Sequence, residues 1–105
     1  MQRELYRVRI SRTGQLCHGD RRATCEVVEV TQKGIGLKTE MTLAQGDSIE
    51  LECALSARHP LRCTLQVIHA AYPHVGGRIT VISPDHERQL FRFIEDHAAA
   101  CLGTC

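Results

Sequence analysis

Two short stretches of this sequence bring together residue types that can do chemistry. The first is Arg3-Glu4-Leu5-Tyr6-Arg7, which sets two arginines four positions apart ahead of any patterned element. The second is Glu29-Val30-Thr31-Gln32-Lys33-Gly34, which places a carboxylate, a hydroxyl and a glycine in the turn that ends a strand. A guanidinium is a planar fork that pairs two-pronged with phosphate or a guanine edge and stacks on flat rings. A carboxylate accepts from N–H edges, and a hydroxyl both donates and accepts. This is equipment for holding an anionic ligand. Six arginines fall in the first 22 residues against only Glu4 and Asp20, while the whole chain of 105 residues nets +1. Eleven of the thirteen basic residues are Arg, Lys33 and Lys38 being the exceptions. A basic arm on a near-neutral domain suits a small anion. A domain for long nucleic acid carries its basic stripe along its whole length, so no such polymer is expected.

Catalysis finds no comparable support. The sequence has no Ser-His-Asp arrangement, no H-E-x-x-H and no glycine-rich phosphate loop, and the reading is of a non-enzyme without a cofactor. The six histidines are scattered. His59, His74 and His86 stand in turn or helix-start contexts that suit a solvated ring, and His97 lies on a helix face where packing is expected. Six cysteines, Cys17, Cys25, Cys53, Cys63, Cys101 and Cys105, form no C-x-x-C. Cys53 and Cys63 fall in alternating apolar runs, where a thiol acts as a small core hydrophobe, and both are expected to be buried and reduced. Cys101 and Cys105 make at most half a metal site, and no metal is expected.

The elements that must position these residues are mostly strands. One hundred and five residues make one domain, and with no Trp and only four Phe and Tyr the core must be aliphatic. Strands are expected over 10–17, 21–30, 35–39, 49–55, 61–72 and 75–82. The turns between them are His18-Gly19-Asp20, Thr31-Gln32-Lys33-Gly34, Gln45-Gly46-Asp47 and Tyr72-Pro73-His74. Ile49, Leu51, Cys53 and Leu55 alternate with Glu50 and Glu52, the signature of an antiparallel strand with one wet face. The period changes after Ser83-Pro84, where an N-cap and acidic Asp85 and Glu87 precede Leu90, Phe93, Ile94 and His97 at helical spacing. The fold expected is mainly β: a six-stranded antiparallel barrel over 10–82, preceded by a flexible arginine-rich arm over 1–9 and closed by one helix over 83–101. No apolar run is long enough to span a membrane, and the N-terminus lacks a signal-peptide stretch, so a cytoplasmic location is expected.

The order and spacing of the two motifs, ahead of a small β domain with a terminal helix, resemble the PilZ family. That family binds the bacterial second messenger cyclic di-GMP through R-x-x-x-R followed by [D/N]-x-S-x-x-G. Arg3 and Arg7 match the first motif. Gly34 matches the end of the second, with Glu29 and Thr31 in place of its Asp/Asn and Ser. Gly34-Ile35-Gly36-Leu37 looks like the family's next strand, and Val75-Gly76-Gly77-Arg78-Ile79 like its G-x-R-aromatic strand with Ile for the aromatic. Ile82-Ser83-Pro84 with Glu87-Arg88-Gln89-Leu90 is similar to the helix start of flagellar-brake-type members.

The resemblance implies a ligand set. Arg3 and Arg7 would take guanine or phosphate, Glu29 the guanine N–H edge, and Thr31 would offer its hydroxyl. Gly34 would allow a positive φ and a close backbone approach, and His69 falls where some members stack a residue on a base. It also implies a mechanism, an arm that orders on the ligand and presents a new surface to a partner protein or a fused neighbouring domain, in motility or biofilm signalling. Two other functions stand beside it: a degenerate PilZ domain acting as a nucleotide-independent adaptor in pilus or flagellar motility, and a Cys/His metal or redox protein.

Overall fold

The computed structural model describes residues 7–104, with side chains to residue 97. Six strands, β1 (Val8–His18), β2 (Arg21–Val30), β3 (Gly34–Thr39), β4 (Ser48–Ser56), β5 (His59–Ala71) and β6 (His74–Ile82), precede a single helix, α1 (Pro84–Thr104). They close in the order β1-β2-β3-β6-β5-β4, every neighbour antiparallel. The six-stranded barrel with one C-terminal helix is the architecture expected from the sequence.

Alternation explains the strands that are easy to read. On β4, Ile49, Leu51, Cys53 and Leu55 are buried while Glu50, Glu52 and Ala54 are exposed. On β5, Leu61, Cys63, Leu65 and Val67 continue the same inward phase. Gly19 and Gly46 take φ of 64° and 96°, so the two turns expected there use the left-handed backbone that glycine adopts without penalty. β1 is harder to read because its inward phase carries Arg12 and Gly14 between Val8 and Leu16. Arg12 spends its guanidinium on the Leu55 carbonyl, Nε donating at 2.7 Å. β1 also begins at Val8, two residues ahead of the expected start, because Val8 is buried opposite Val30.

The core is mainly aliphatic and sulfur-bearing, and it departs from the expected all-aliphatic core by including Phe93. Cys25, Cys53 and Cys63 are all buried. Gly14 lies opposite both Cys25 and Cys53, and a Cβ there would stand 3.0 Å from the Cys53 Cβ and 3.3 Å from the Cys25 Sγ. The thiols fill the space that a side chain at Gly14 would need. Burial pushes the Cys25 and Cys63 thiols up to about 12 and that of Cys53 up to about 11. Such thiols are inert, as expected for core hydrophobes. Among the described residues no group of His, Cys, Asp or Glu is arranged to hold a metal ion.

α1 starts as its sequence dictates. The Ser83 hydroxyl accepts from the His86 N–H at 3.2 Å, and Asp85 and Glu87 sit in the first turn. Leu90, Phe93 and Ile94 are buried where the helix packs chiefly against β5. His86 Nδ1 donates to the Pro60 carbonyl at 3.2 Å, and the His59 ring meets Phe93 edge-on, which fixes the helix against that strand. His97 packs on Phe93 at 4.1 Å, as its helix-face position suggested. The helix continues to Thr104, through Gly103 and beyond the expected end at 101. No described helix is long and apolar enough to cross a membrane.

Candidate ligand-binding face

Two of the barrel's register slips decide where Glu29 and His69 point. Along β2 the inward phase runs Cys25, Val27, and a regular strand would turn Glu29 inward with them. The register between β2 and β3 slips by one residue between Val27 and Glu29, so Val28 is extra, Glu29 faces out and Val30 faces in. The same device acts on β5. Leu65 and Val67 face in, the register with β6 slips between Val67 and His69, and His69 emerges on the outer surface with Ile68 as the extra residue. Bulges re-aim side chains in this way at the rims of barrels and beside binding sites.

The pairing then lines up one outward row across five strands. Arg9 on β1 is opposite Glu29, Glu29 is opposite Gly36 on β3, Gly36 is opposite Gly76 on β6, and Gly76 is opposite His69 on β5. Gly34, one outward position along β3, is opposite Arg78. The centre of this face is therefore three glycines, Gly34, Gly36 and Gly76, with bare backbone outward. Around them stand Glu29 and Arg9 on one side, His69 on the other and Arg78 at one end. Glu29 and His69 are three strand spacings apart, roughly 14 Å. Glycine within strands sacrifices packing and backbone entropy, and it recurs where another molecule comes close to the chain. A flat, bare floor with a carboxylate on one wall, an imidazole on the other and guanidiniums at the margins suits a planar, anionic ligand.

The glycines are not equivalent. A Cβ on Gly36 would meet Glu29 Cβ at 3.5 Å, and one on Gly76 would meet His69 Cβ at 3.7 Å, both ordinary contacts. A Cβ on Gly34 would come within 2.7 Å of the Gly77 carbonyl. Gly34 is thus required by the close approach of β6. The expected positive φ at Gly34 is not found, because the residue already belongs to extended β3, and among the described residues only Gly19 and Gly46 have positive φ.

The turn before β3 is built by Thr31. Its Oγ1 accepts from the Gly34 N–H at 2.9 Å and the Lys33 N–H at 3.2 Å, and donates to the Gly34 carbonyl at 3.1 Å. The Thr31 N–H also reaches that carbonyl, at 2.9 Å. The hydroxyl expected to face a ligand is committed to holding the turn. Glu29 is half-buried, and Arg7 approaches it, Nη1 to Oε2 at 3.9 Å, with the Arg7 side chain 75% exposed. Such a long, exposed pair adds little stability and leaves both groups free to re-pair. Arg3 lies outside the described residues.

The structure brings Arg7, Glu29, Thr31, Gly34 and His69 to one face and one end of the barrel. It adds Arg9, Gly36, Gly76 and Arg78, which sequence reasoning did not name as site residues. The G-x-G of 34–36 and the G-G-R of 76–78 were visible signals. What was missing was the pairing of β3 with β6, which places Gly36 against Gly76.

Known proteins share this fold. A family model for the PilZ domain matches residues 1–96. No curated protein matches the chain. Among solved structures, the PilZ domain of YcgR from Escherichia coli with c-di-GMP is similar at 18% identity and a TM-score of 0.76, covering 100% of both chains. YcgR from E. coli in complex with c-di-GMP is similar at 19% identity and a TM-score of 0.80, covering 99% of this chain and 49% of that one. The Bacillus subtilis inhibitor of motility MotI/DgrA gives 12% identity and a TM-score of 0.80, covering 95% of this chain and 52% of its own. This chain thus spans about half the length of both MotI and YcgR. At such identities the structural likenesses show the fold, and the family model adds the sequence pattern. With that model running from the first residue into α1, over the barrel and both motifs, the chain belongs to the PilZ domain family.

Proposed function

We propose that this domain is a non-enzymatic, cytoplasmic receptor for cyclic di-GMP that binds the nucleotide on its glycine face and signals to a partner protein or a fused neighbouring domain. The observation that carries this reading is the outward row Arg9–Glu29–Gly36–Gly76–His69, with Arg7 already beside Glu29. Glu29 would accept from the N1–H and N2–H₂ edge of a guanine. Arg3 and Arg7 would take phosphate or the O6/N7 edge two-pronged, Gly36 and Gly76 would let a base lie close, and His69 would stack at the far wall. Gly34 and Thr31 hold the turn that sets Glu29 at its height. Binding exchanges the weak Arg7–Glu29 pair for charge-assisted contacts to the ligand and orders the N-terminal arm upon it. The similarity to the PilZ domain of YcgR with c-di-GMP supports this choice of ligand, and the similarity to an inhibitor of motility supports motility as the process.

One observation favours the second reading, a nucleotide-independent adaptor: the Thr31 hydroxyl is fully used inside its own turn. Calorimetric titration of the whole chain with cyclic di-GMP separates the two. Saturable binding that weakens with salt supports the receptor, because the arginine–phosphate attraction is screened. An absence of heat and of any saturable signal supports the adaptor.

A further inference from the structure

Beside the glycine face, the C-terminal end of β6 runs past its neighbour β3. The ladder between β3 and β6 ends at Gly34 opposite Arg78, and the last bond on that side is from the Ile79 N–H to the Lys33 carbonyl at 2.8 Å. β6 nevertheless runs on to Ile82, paired there only with β5. Thr80 to Ile82, with Thr80 bulged out of register against β5, therefore have an edge on the β3 side that no described strand covers. α1 does not close it. A hollow of about 320 Å³ remains, lined by Gln32, Lys33, Arg78, Thr80, Glu87 and Leu90, with Ile79 and Ile82 contributing apolar surface.

Three properties of this hollow describe its occupant. An uncovered strand edge offers a row of backbone groups for another strand to pair with. Lys33 and Arg78 stand on the barrel wall, and neither has a carboxylate within salt-bridge distance among the described residues, Glu87 on the opposite wall included. Among the described residues Gln32 Oε1 is buried without a hydrogen-bond partner, an acceptor left over for a donor. An extended segment with backbone N–H groups, an acidic side chain and apolar neighbours answers all three.

We infer that this hollow is a docking groove for an extended, acidic–apolar segment of a partner protein, which adds as a strand to the β6 edge with its carboxylate between Lys33 and Arg78. The groove shares Arg78 with the margin of the glycine face, and Lys33 and Gln32 belong to the turn that precedes Gly34. A partner held there sits against the elements proposed to hold nucleotide. The proposal rests on the partner reading alone, and its test uses no nucleotide, so its failure is distinguishable from a failure of nucleotide binding.

The test uses the whole chain, ¹⁵N-labelled and without nucleotide, titrated with a blocked peptide of alternating Val and Glu. Two control peptides replace Glu by Lys or methylate alternate backbone nitrogens. The expected result is saturable shifts of amides 32–34 and 79–82, at least roughly tenfold weaker with the Lys peptide and with the N-methylated peptide. The double variant Lys33→Glu/Arg78→Glu, folded by its unchanged remaining spectrum, should reverse the preference between the Glu and Lys peptides. Shifts centred elsewhere, equal binding of all three peptides, or no binding at millimolar peptide would overturn the proposal. So would cross-peaks in the free chain from Leu5 and Tyr6 to Ile79 and Leu90 that the peptide does not displace, which would give the groove to the chain's own N-terminal residues.

Discussion

A methyl group placed on the bare floor separates folding from binding. Gly36→Ala and Gly76→Ala put a Cβ outward, where it meets nothing closer than 3.5 Å and 3.7 Å respectively. Neither glycine has a positive φ, so alanine takes the backbone as it stands. Alanine is preferred to glycine within a strand by about 0.5–1 kcal/mol, so each variant should be as stable as the parent or more so, with Tm a few degrees higher. The same methyl stands roughly 1.5 Å above the backbone. A ring that had lain on the floor must lift, and a gap of even about 1 Å forfeits up to half of the dispersion attraction. Contacts to Glu29 and His69 lengthen with it. A loss of about 1.4 kcal/mol, tenfold in Kd, is expected for each variant. Thermal unfolding with titration of cyclic di-GMP reads both quantities. Variants more stable than the parent that bind equally well would refute the floor as the site. Gly34→Ala is the contrast. Its Cβ must push the Gly77 carbonyl from 2.7 Å, and it should unfold more readily by about 1–3 kcal/mol.

Three further outcomes follow from the same geometry. Arg7→Ala should weaken nucleotide binding by about 2 kcal/mol or more while leaving Tm unchanged, since the side chain is 75% exposed and its ion pair with Glu29 is long; parent-like binding would remove the arm from the site. Glu29→Ala should bind worse by about 1–3 kcal/mol, because it leaves guanine donors unpaired, whereas Glu29→Asp with Thr31→Ser should bind as well as the parent or better; a silent parent with a binding double variant would mark the domain as an adaptor. The buried thiols impose an alkaline limit. The unfolded chain loses its thiol protons near the ordinary value of 9.0, whereas Cys25, Cys53 and Cys63 keep theirs to about 11–12, so the folded state binds more protons in that window. Stability should therefore hold below about pH 9 and fall steadily above it, and Cys53→Ala/Cys63→Ala should flatten that fall in urea titrations at pH 8 and 10.5.

The sequence was most legible where one rule acted alone. β4 alternates without interruption, and its faces follow directly from Ile49, Leu51, Cys53 and Leu55. The helix start was legible because Ser83, Pro84, Asp85 and Glu87 each satisfy a local requirement of a helix end. β1 was faint because Arg12 and Gly14 occupy inward positions, one hydrogen-bonded to the distant Leu55 carbonyl and the other crowded by distant thiols. The same limit applied to the site. Arg7, Glu29 and Gly34 are recognisable by type and spacing, but plain alternation sends Glu29 and His69 into the core. Only the register slips at Val28 and Ile68 turn them out, and those depend on partners in β3 and β6. The glycine floor is a product of that long-range pairing, so Gly36 and Gly76 look separately like weak strand positions and together like a binding surface.

The most direct test of the central claim is a map of where cyclic di-GMP touches the protein. Titrating it into the ¹⁵N-labelled whole chain should move the amides of Arg7, Arg9, Glu29, Gly34, Gly36, His69 and Gly76 together along one saturable curve, leaving the β4 amides of Ile49 to Leu55 in place. Saturable shifts confined to another face of the barrel, or an unchanged spectrum at millimolar nucleotide, would contradict the assignment of the glycine face as a cyclic di-GMP site.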